Sequence, residues 1–154
     1  MAKEFILFDV DGTLVYSNKI DSRSFAETYQ SIYDEAFPSI DWRVYPHVTD
    51  HTIFGTVIRE RFGRAVEPGE IEHFQDRFVE LLQQKRGRTP QEFKEVPGAK
   101  AMVDHLLAEG YQVGIATGGW WRPAKLKLAH VEIPVAPLIF SAADNKVTRE
   151  DILQ

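Results

Sequence analysis

Asp9 and Asp11 stand two residues apart at the end of an apolar run, FILFDVDGTLV, residues 5–15. On an extended strand, residues two apart project to the same side, so both carboxylates would face one site. Carboxylates at close range repel, and one stays protonated unless a cation neutralises the pair. Mg²⁺ suits such a place, because it takes one or two carboxylates and completes its shell with phosphate oxygens and water. A carboxylate beside that ion can attack phosphorus to form an aspartyl phosphate, while the second acid moves the proton. Gly12 lets the chain turn sharply after the pair, and the Thr13 hydroxyl can hold that turn.

Thr117 ends a second apolar run, YQVGIAT, and brings a hydroxyl to another strand end. Gly118 and Gly119 follow it, and both are read as offering unobstructed backbone N–H groups to an anion. A cation beyond the third apolar run, Lys146 or Arg149, would balance the remaining phosphate charge. Trp120 and Trp121 read as packing more readily than as a substrate wall. His47 and His51 sit where surface or helix-capping roles suffice. Arg43, Arg59 and Arg61 fit a solvated helix face, and QQKRGR fits a basic helix end complementing the dipole.

These residues need elements to position them. The chain has 154 residues, 44% of them hydrophobic, which is enough for one core with a small insert. A formal net charge of -5 argues against nucleic acid or an anionic membrane surface as the main partner. The absence of cysteine excludes disulfides, thiolate nucleophiles and cysteine-based zinc sites. No signal-peptide pattern and no long apolar run occur, so a cytoplasmic protein with no membrane contact is expected.

EFILFDV reads as a buried strand covered on both faces. A helix follows from Asp21, capped by Asp21 or Ser22 and ended by Pro38 and Ser39. A second runs from about Asp50 to Phe62, with Gly63 as its stop. A third follows Pro68, with Ile71, Phe74, Phe78, Leu81 and Leu82 on its apolar face. RGRTPQEF (86–93) reads as a polar linker. After it, a helix in VPGAKAMVDHLLAEG, a strand in YQVGIAT, a helix in RPAKLKLAHVEI, a short strand in APLIFSA and a helix opening in TREDILQ spell βαβ connectivity. A parallel sheet results, and ligands bind beyond the carboxyl ends of such strands.

FDVDGTL resembles the first motif of the haloacid dehalogenase-like superfamily, and GIATGG resembles the second. VPGAKAMVDHLLAEGYQVGIATGG is similar to the helix–strand unit that precedes that second motif. The likeness spans essentially the whole chain. It implies an α/β fold: a Rossmann-like parallel sheet of residues 1–16 and 92–154, with a small α-helical cap of the C1 type, 17–91, inserted after the first strand.

The resemblance also implies roles. Asp9 would be the nucleophile and a Mg²⁺ ligand. Asp11 would be the general acid and base, holding the metal through its backbone carbonyl. Thr117 and the Gly118 amide would bind the transferring phosphoryl group, with Gly12, Thr13 and Gly119 beside it. The third-motif cation would be Lys146 or Arg149, and a helix start favours Arg149. The implied activity is Mg²⁺-dependent hydrolysis of a small phosphorylated metabolite. Asp11 argues against a true dehalogenase. The segment from Ile20 to Phe78 has no lysine, which argues against a Schiff-base phosphonate hydrolase. A sugar-phosphate mutase like the β-phosphoglucomutases, or a non-catalytic fragment binding a ligand or partner, are the other readings. The family's fourth motif, an acidic strand end reading GD, has no counterpart after Asp151. A chain cut short at the carboxyl end of its core, an exposed edge at residues 5–10 and little or no turnover are therefore expected.

Overall fold

The structure, a computed structural model, describes residues 4–154. Strand β1 (Phe5–Phe8) leads through a tight loop to β2 (Val15–Tyr16). Helices α1 (Asn18–Tyr33), α2 (Asp50–Phe62) and α3 (Glu70–Arg88) follow, then β3 (Lys94–Glu95). The remainder alternates: α4 (Ala99–Ala108), β4 (Gln112–Ala116), α5 (Trp121–His130), β5 (Ile139–Ser141) and α6 (Arg149–Leu153). The parallel sheet has the order β1–β4–β5, with Phe8 opposite Ile115 and Ala116 opposite Ser141. That register brings the carboxyl ends of all three strands level. The fold is α/β, as expected, and its strand ends share one rim.

The helix boundaries have local causes. Thr49 caps α2 by accepting the Thr52 N–H at 3.2 Å, and Gly63 closes it in the left-handed region at φ 64°. Thr148 and Asp151 cap α6 reciprocally, at 3.1 and 3.0 Å. Helix α1 departs from expectation, starting at Asn18 and ending at Tyr33, with Asp34 left-handed at φ 56°. Asp21 does not cap it, because its carboxylate is taken by Lys127. Ser17, at the cap position, turns its hydroxyl to Asp11 instead. The expected linker 86–93 is largely ordered: α3 runs through Arg88, and a 3-10 turn at Pro90–Phe93 buries Phe93. The Thr89 N–H and hydroxyl both bond the Lys85 carbonyl and close α3 there.

Two features were not anticipated. The short strands β2 and β3 pair antiparallel, Val15 with Glu95 and Tyr16 with Lys94, so the two chain crossings into the helical insert are bound together. Strand β1 is an edge of the sheet, as expected, but against expectation its apolar run is not covered on both faces, since Phe5 and Leu7 are 45% and 44% exposed. Their side chains lie over Gly114, where a Cβ would come within 2.7 Å of Phe5 and 2.9 Å of Leu7. The opposite face is buried, with Val113 and Ile115 inside. No described helix is long and apolar enough to cross a membrane.

An aromatic cluster joins the insert to the sheet. Phe74 contacts Phe25, Phe54, Phe78 and Trp120, with ring centroids 4.8 to 6.2 Å apart. Trp120 lies at the start of α5 and is fully buried, so the packing reading holds for it. Replacing a buried phenylalanine by alanine costs about 3–5 kcal/mol. Phe74→Ala is expected to lower the urea midpoint by a corresponding amount, because it loosens α1, α2 and α5 together.

Candidate active site

The loop after β1 is organised around one carbonyl. Val10 O accepts the N–H groups of Thr13, Leu14 and Val15 at 2.9 to 3.1 Å. Gly12 makes the turn possible at φ 80°, and its N–H reaches Val15 O at 2.7 Å. Thr13 holds the turn through its backbone N–H rather than its hydroxyl. Gly12 and Thr13 thus shape the loop, and neither lines the cleft that the loop borders. Asp9 Oδ1 accepts the Val10 N–H at 2.8 Å, and its carboxylate is 39% exposed. Asp9 and Asp11 both line a cleft of about 380 Å³ above the strand ends.

Thr117, at the end of β4, is buried and lines the same cleft with Gly118 and Gly119. Its N–H donates to Ser141 O at 3.1 Å, which fixes it against the end of β5. Gly119 is not the open amide that was expected, because its N–H donates to Thr117 Oγ1 at 3.1 Å. Gly118 has no room for a side chain: a Cβ would stand 2.9 Å from Arg149 Nη2 and 2.9 Å from Val48 O. Of the two candidate cations, Arg149 reaches the cleft, with Nη1 at 4.0 Å from Asp9 Oδ2. Lys146 does not line it. Its carbonyl accepts the Thr49 hydroxyl at 3.2 Å.

The insert supplies the far wall through Lys19, Ile40, Trp42, Val48 and Ile53. His47, His51 and the exposed arginines stay outside: Arg43 pairs with Asp41 and Arg61 with Glu35. Trp121 donates its N–H to Asp144 and also stays outside the cleft.

Lys127 was missed. It is 1% exposed, and its Nζ donates to Asp11 Oδ1 at 2.7 Å and to Asp21 Oδ1. Ser17 Oγ also donates to Asp11 Oδ1, at 2.6 Å. Asp50, at the start of α2, lines the cleft and accepts the Trp120 N–H at 3.0 Å. A signal for Lys127 existed, since it lies three and four residues after Ala124 and Pro123, on the buried stripe of α5.

The sequence profile of the haloacid dehalogenase-like hydrolases matches residues 6–146. The chain belongs to this family. Among solved structures, this haloacid dehalogenase-like hydrolase resembles a hydrolase from Pseudomonas syringae, with a TM-score of 0.64 at 17% identity. It covers 97% of our chain and 62% of that protein. A predicted phosphoglycolate phosphatase from Haemophilus somnus gives a TM-score of 0.59 at 16% identity, over 90% of our chain and 62% of its own. A protein named as a candidate β-phosphoglucomutase from Bacteroides vulgatus gives 0.64 at 18% identity, over 94% and 56%. The chain therefore spans under two thirds of the length of these proteins, and at such identities the likeness shows the fold alone. No match was found among curated proteins.

Charge in the cleft is set by burial and by Lys127. Burial raises Asp9, and the Val10 N–H and Arg149 only partly offset it. Burial also works to raise Asp11, but the Lys127 charge and the Lys127 and Ser17 hydrogen bonds outweigh it, so Asp11 is held below the usual range. Asp21 is pushed up to about 6 by burial, despite Lys127. Asp50 is raised well above the usual range by burial and by the nearby Asp21 charge. Burial disfavours the Lys127 charge, yet Asp11 and Asp21 hold it firmly protonated. Asp21 and Asp50 bind protons more tightly folded than unfolded, so their contribution is present at low pH and lost as pH rises through the folded values. Unfolding free energy is expected to rise as pH falls from about 8 to about 5.5. Asp50→Asn should flatten that slope in urea melts at the two pH values.

Proposed function

We propose that the chain is a phosphomonoester hydrolase acting on a small phosphorylated metabolite through an aspartyl phosphate on Asp9. The supporting observation is the convergence of Asp9, Thr117, Gly118 and Arg149 on one cleft beside Asp11. In the first step an Asp9 oxygen attacks phosphorus, the bond to the leaving oxygen breaks, and Asp11 protonates that oxygen. In the second, water attacks the same phosphorus, its proton passes to Asp11, and the bond to Asp9 breaks to give inorganic phosphate. Lys127 keeps Asp11 ionised at rest, the state that the second step uses. A phosphate dianion arriving beside Asp11 favours its protonation, the state that the first step uses. Arg149, Thr117 and the Gly118 backbone bind the phosphoryl oxygens and hold phosphorus in line with Asp9.

The donor set in the cleft fits Mg²⁺ in kind. It offers oxygen and no histidine or cysteine, and Mg²⁺ needs few protein ligands when a substrate phosphate completes its shell. Asp11 Oδ1 is already taken by Ser17 and Lys127, so Asp11 would hold the ion through its main-chain carbonyl and Asp9 through its carboxylate. When bound, the ion would supply charge neutralisation to the phosphoryl group. Among the described residues, no group of three or more acidic or histidine side chains is arranged for a metal. Binding is therefore expected to be weak without substrate, and turnover by residues 1–154 to be slow. A mutase would use the same Asp9 chemistry, and assays separating phosphate release from isomerisation distinguish the two.

Asp9→Asn is expected to lower Mg²⁺-dependent phosphate release from p-nitrophenyl phosphate by at least about 10³-fold with the fold intact. Retained release would overturn the assignment. Arg149→Ala should cost about 10²-fold in the same assay, while Lys146→Ala should stay within about threefold. The reverse order would transfer the phosphate-binding role to Lys146.

A further inference from the structure

Among the described residues, Lys127 is the most deeply buried charged residue, 1% exposed. A buried ammonium is costly unless it is paired, and an apolar residue of similar size could fill the same volume. Its partners come from distant parts of the chain. Asp11 lies in the loop after β1, 116 residues away, and Asp21 lies in the first turn of α1, 106 residues away. Asp11 Oδ1 receives two donors, Lys127 Nζ at 2.7 Å and Ser17 Oγ at 2.6 Å. Two donors on one oxygen fix the plane of the carboxylate and leave Oδ2 for proton exchange.

We infer that Lys127 is a positioning residue: it fixes the Asp11 carboxylate for proton transfer and, through Asp21, ties it to the seat of α1. The inference rests on the hydrolase reading above, because only there does Asp11 move a proton. Helix α1 supplies Asp21 to the tie and Lys19 to the cleft wall. Displacing α1 would remove a partner of Lys127 and a wall of the cleft together.

The test compares two phosphomonoesters on the full chain. An alkyl phosphate needs its leaving oxygen protonated, whereas dinitrophenyl phosphate does not. Lys127→Met is measured together with Lys127→Met/Asp21→Asn, which removes one charge of each sign and serves if the single variant does not fold. The alkyl ester is expected to lose about 10²-fold in rate, while the rapid-mixing burst of dinitrophenolate stays within about threefold. Equal losses on both esters would mean a merely structural role and overturn the inference. A second readout needs no activity. In ¹³C,¹⁵N-labelled wild type, the Lys127 ammonium is expected to give a slowly exchanging resonance correlated with the carboxylate carbons of Asp11 and Asp21. A rapidly exchanging ammonium, or one lacking the Asp21 correlation, would overturn the tie. If wild type reacts with neither ester, the hydrolase reading fails, and the ammonium resonance still decides whether Lys127 binds the two acids.

Discussion

Two carboxylates share one buried ammonium. Lys127 is inaccessible to water, and Asp11 and Asp21 are the groups that make its charge tolerable there. Losing Lys127 would leave two acids without their shared counter-charge in a low-dielectric place, which proteins avoid strongly. This constraint fixes three elements against one another: the loop after β1, the first turn of α1 and the middle of α5. It also displaces the ordinary local roles of neighbouring side chains. Ser17 and Asp21 are both suited to cap a helix, and both are turned towards this cluster instead.

The rest of the cleft follows from the sheet. Parallel register levels the ends of β1, β4 and β5, so Asp9 and Thr117 emerge side by side. Thr117 is held between Ser141 O and the Gly119 N–H, which leaves the residue between them, Gly118, at the cleft without a side chain. Asp50 and Gly118 bind the insert to the core, because the Asp50 N–H donates to Gly118 O at 2.9 Å and Asp50 Oδ2 accepts from Trp120. The aromatic cluster around Phe74 then fills the space between insert and core, so the far wall of the cleft is set by apolar packing. The polar floor of the cleft and its apolar far wall draw on different forces.

Much of this was legible wherever the signal is local. Helix α2 could be bounded from Asp50 and Gly63, because a left-handed glycine stop is a property of a few neighbouring residues. Asp9, Asp11 and Thr117 stood out as polar residues ending apolar runs, and the structure does bring them to one rim. The rest depended on distant contacts. Lys127 sits in a helix whose other cations are ordinary surface charges, and only its place on the buried stripe set it apart. Asp21 read as a cap because its partner lies 106 residues away. Strands of two residues such as β2 and β3 are too short to show a period. The choice between Lys146 and Arg149 turned on where α6 begins relative to Asp9, a matter of tertiary geometry. The coverage of β1 was misjudged because an apolar run cannot show whether anything packs on its second face.

The central claim is that phosphorus becomes covalently attached to Asp9. It is tested by mixing the protein rapidly with a reactive phosphomonoester and Mg²⁺, quenching, and reducing any acyl phosphate with borohydride. Peptide mass mapping then locates the reduced residue, in a measurement that needs only one turnover. The account predicts conversion of residue 9 alone from aspartate to homoserine. Phosphate release with residue 9 unmodified, or reduction at another carboxylate, would contradict it.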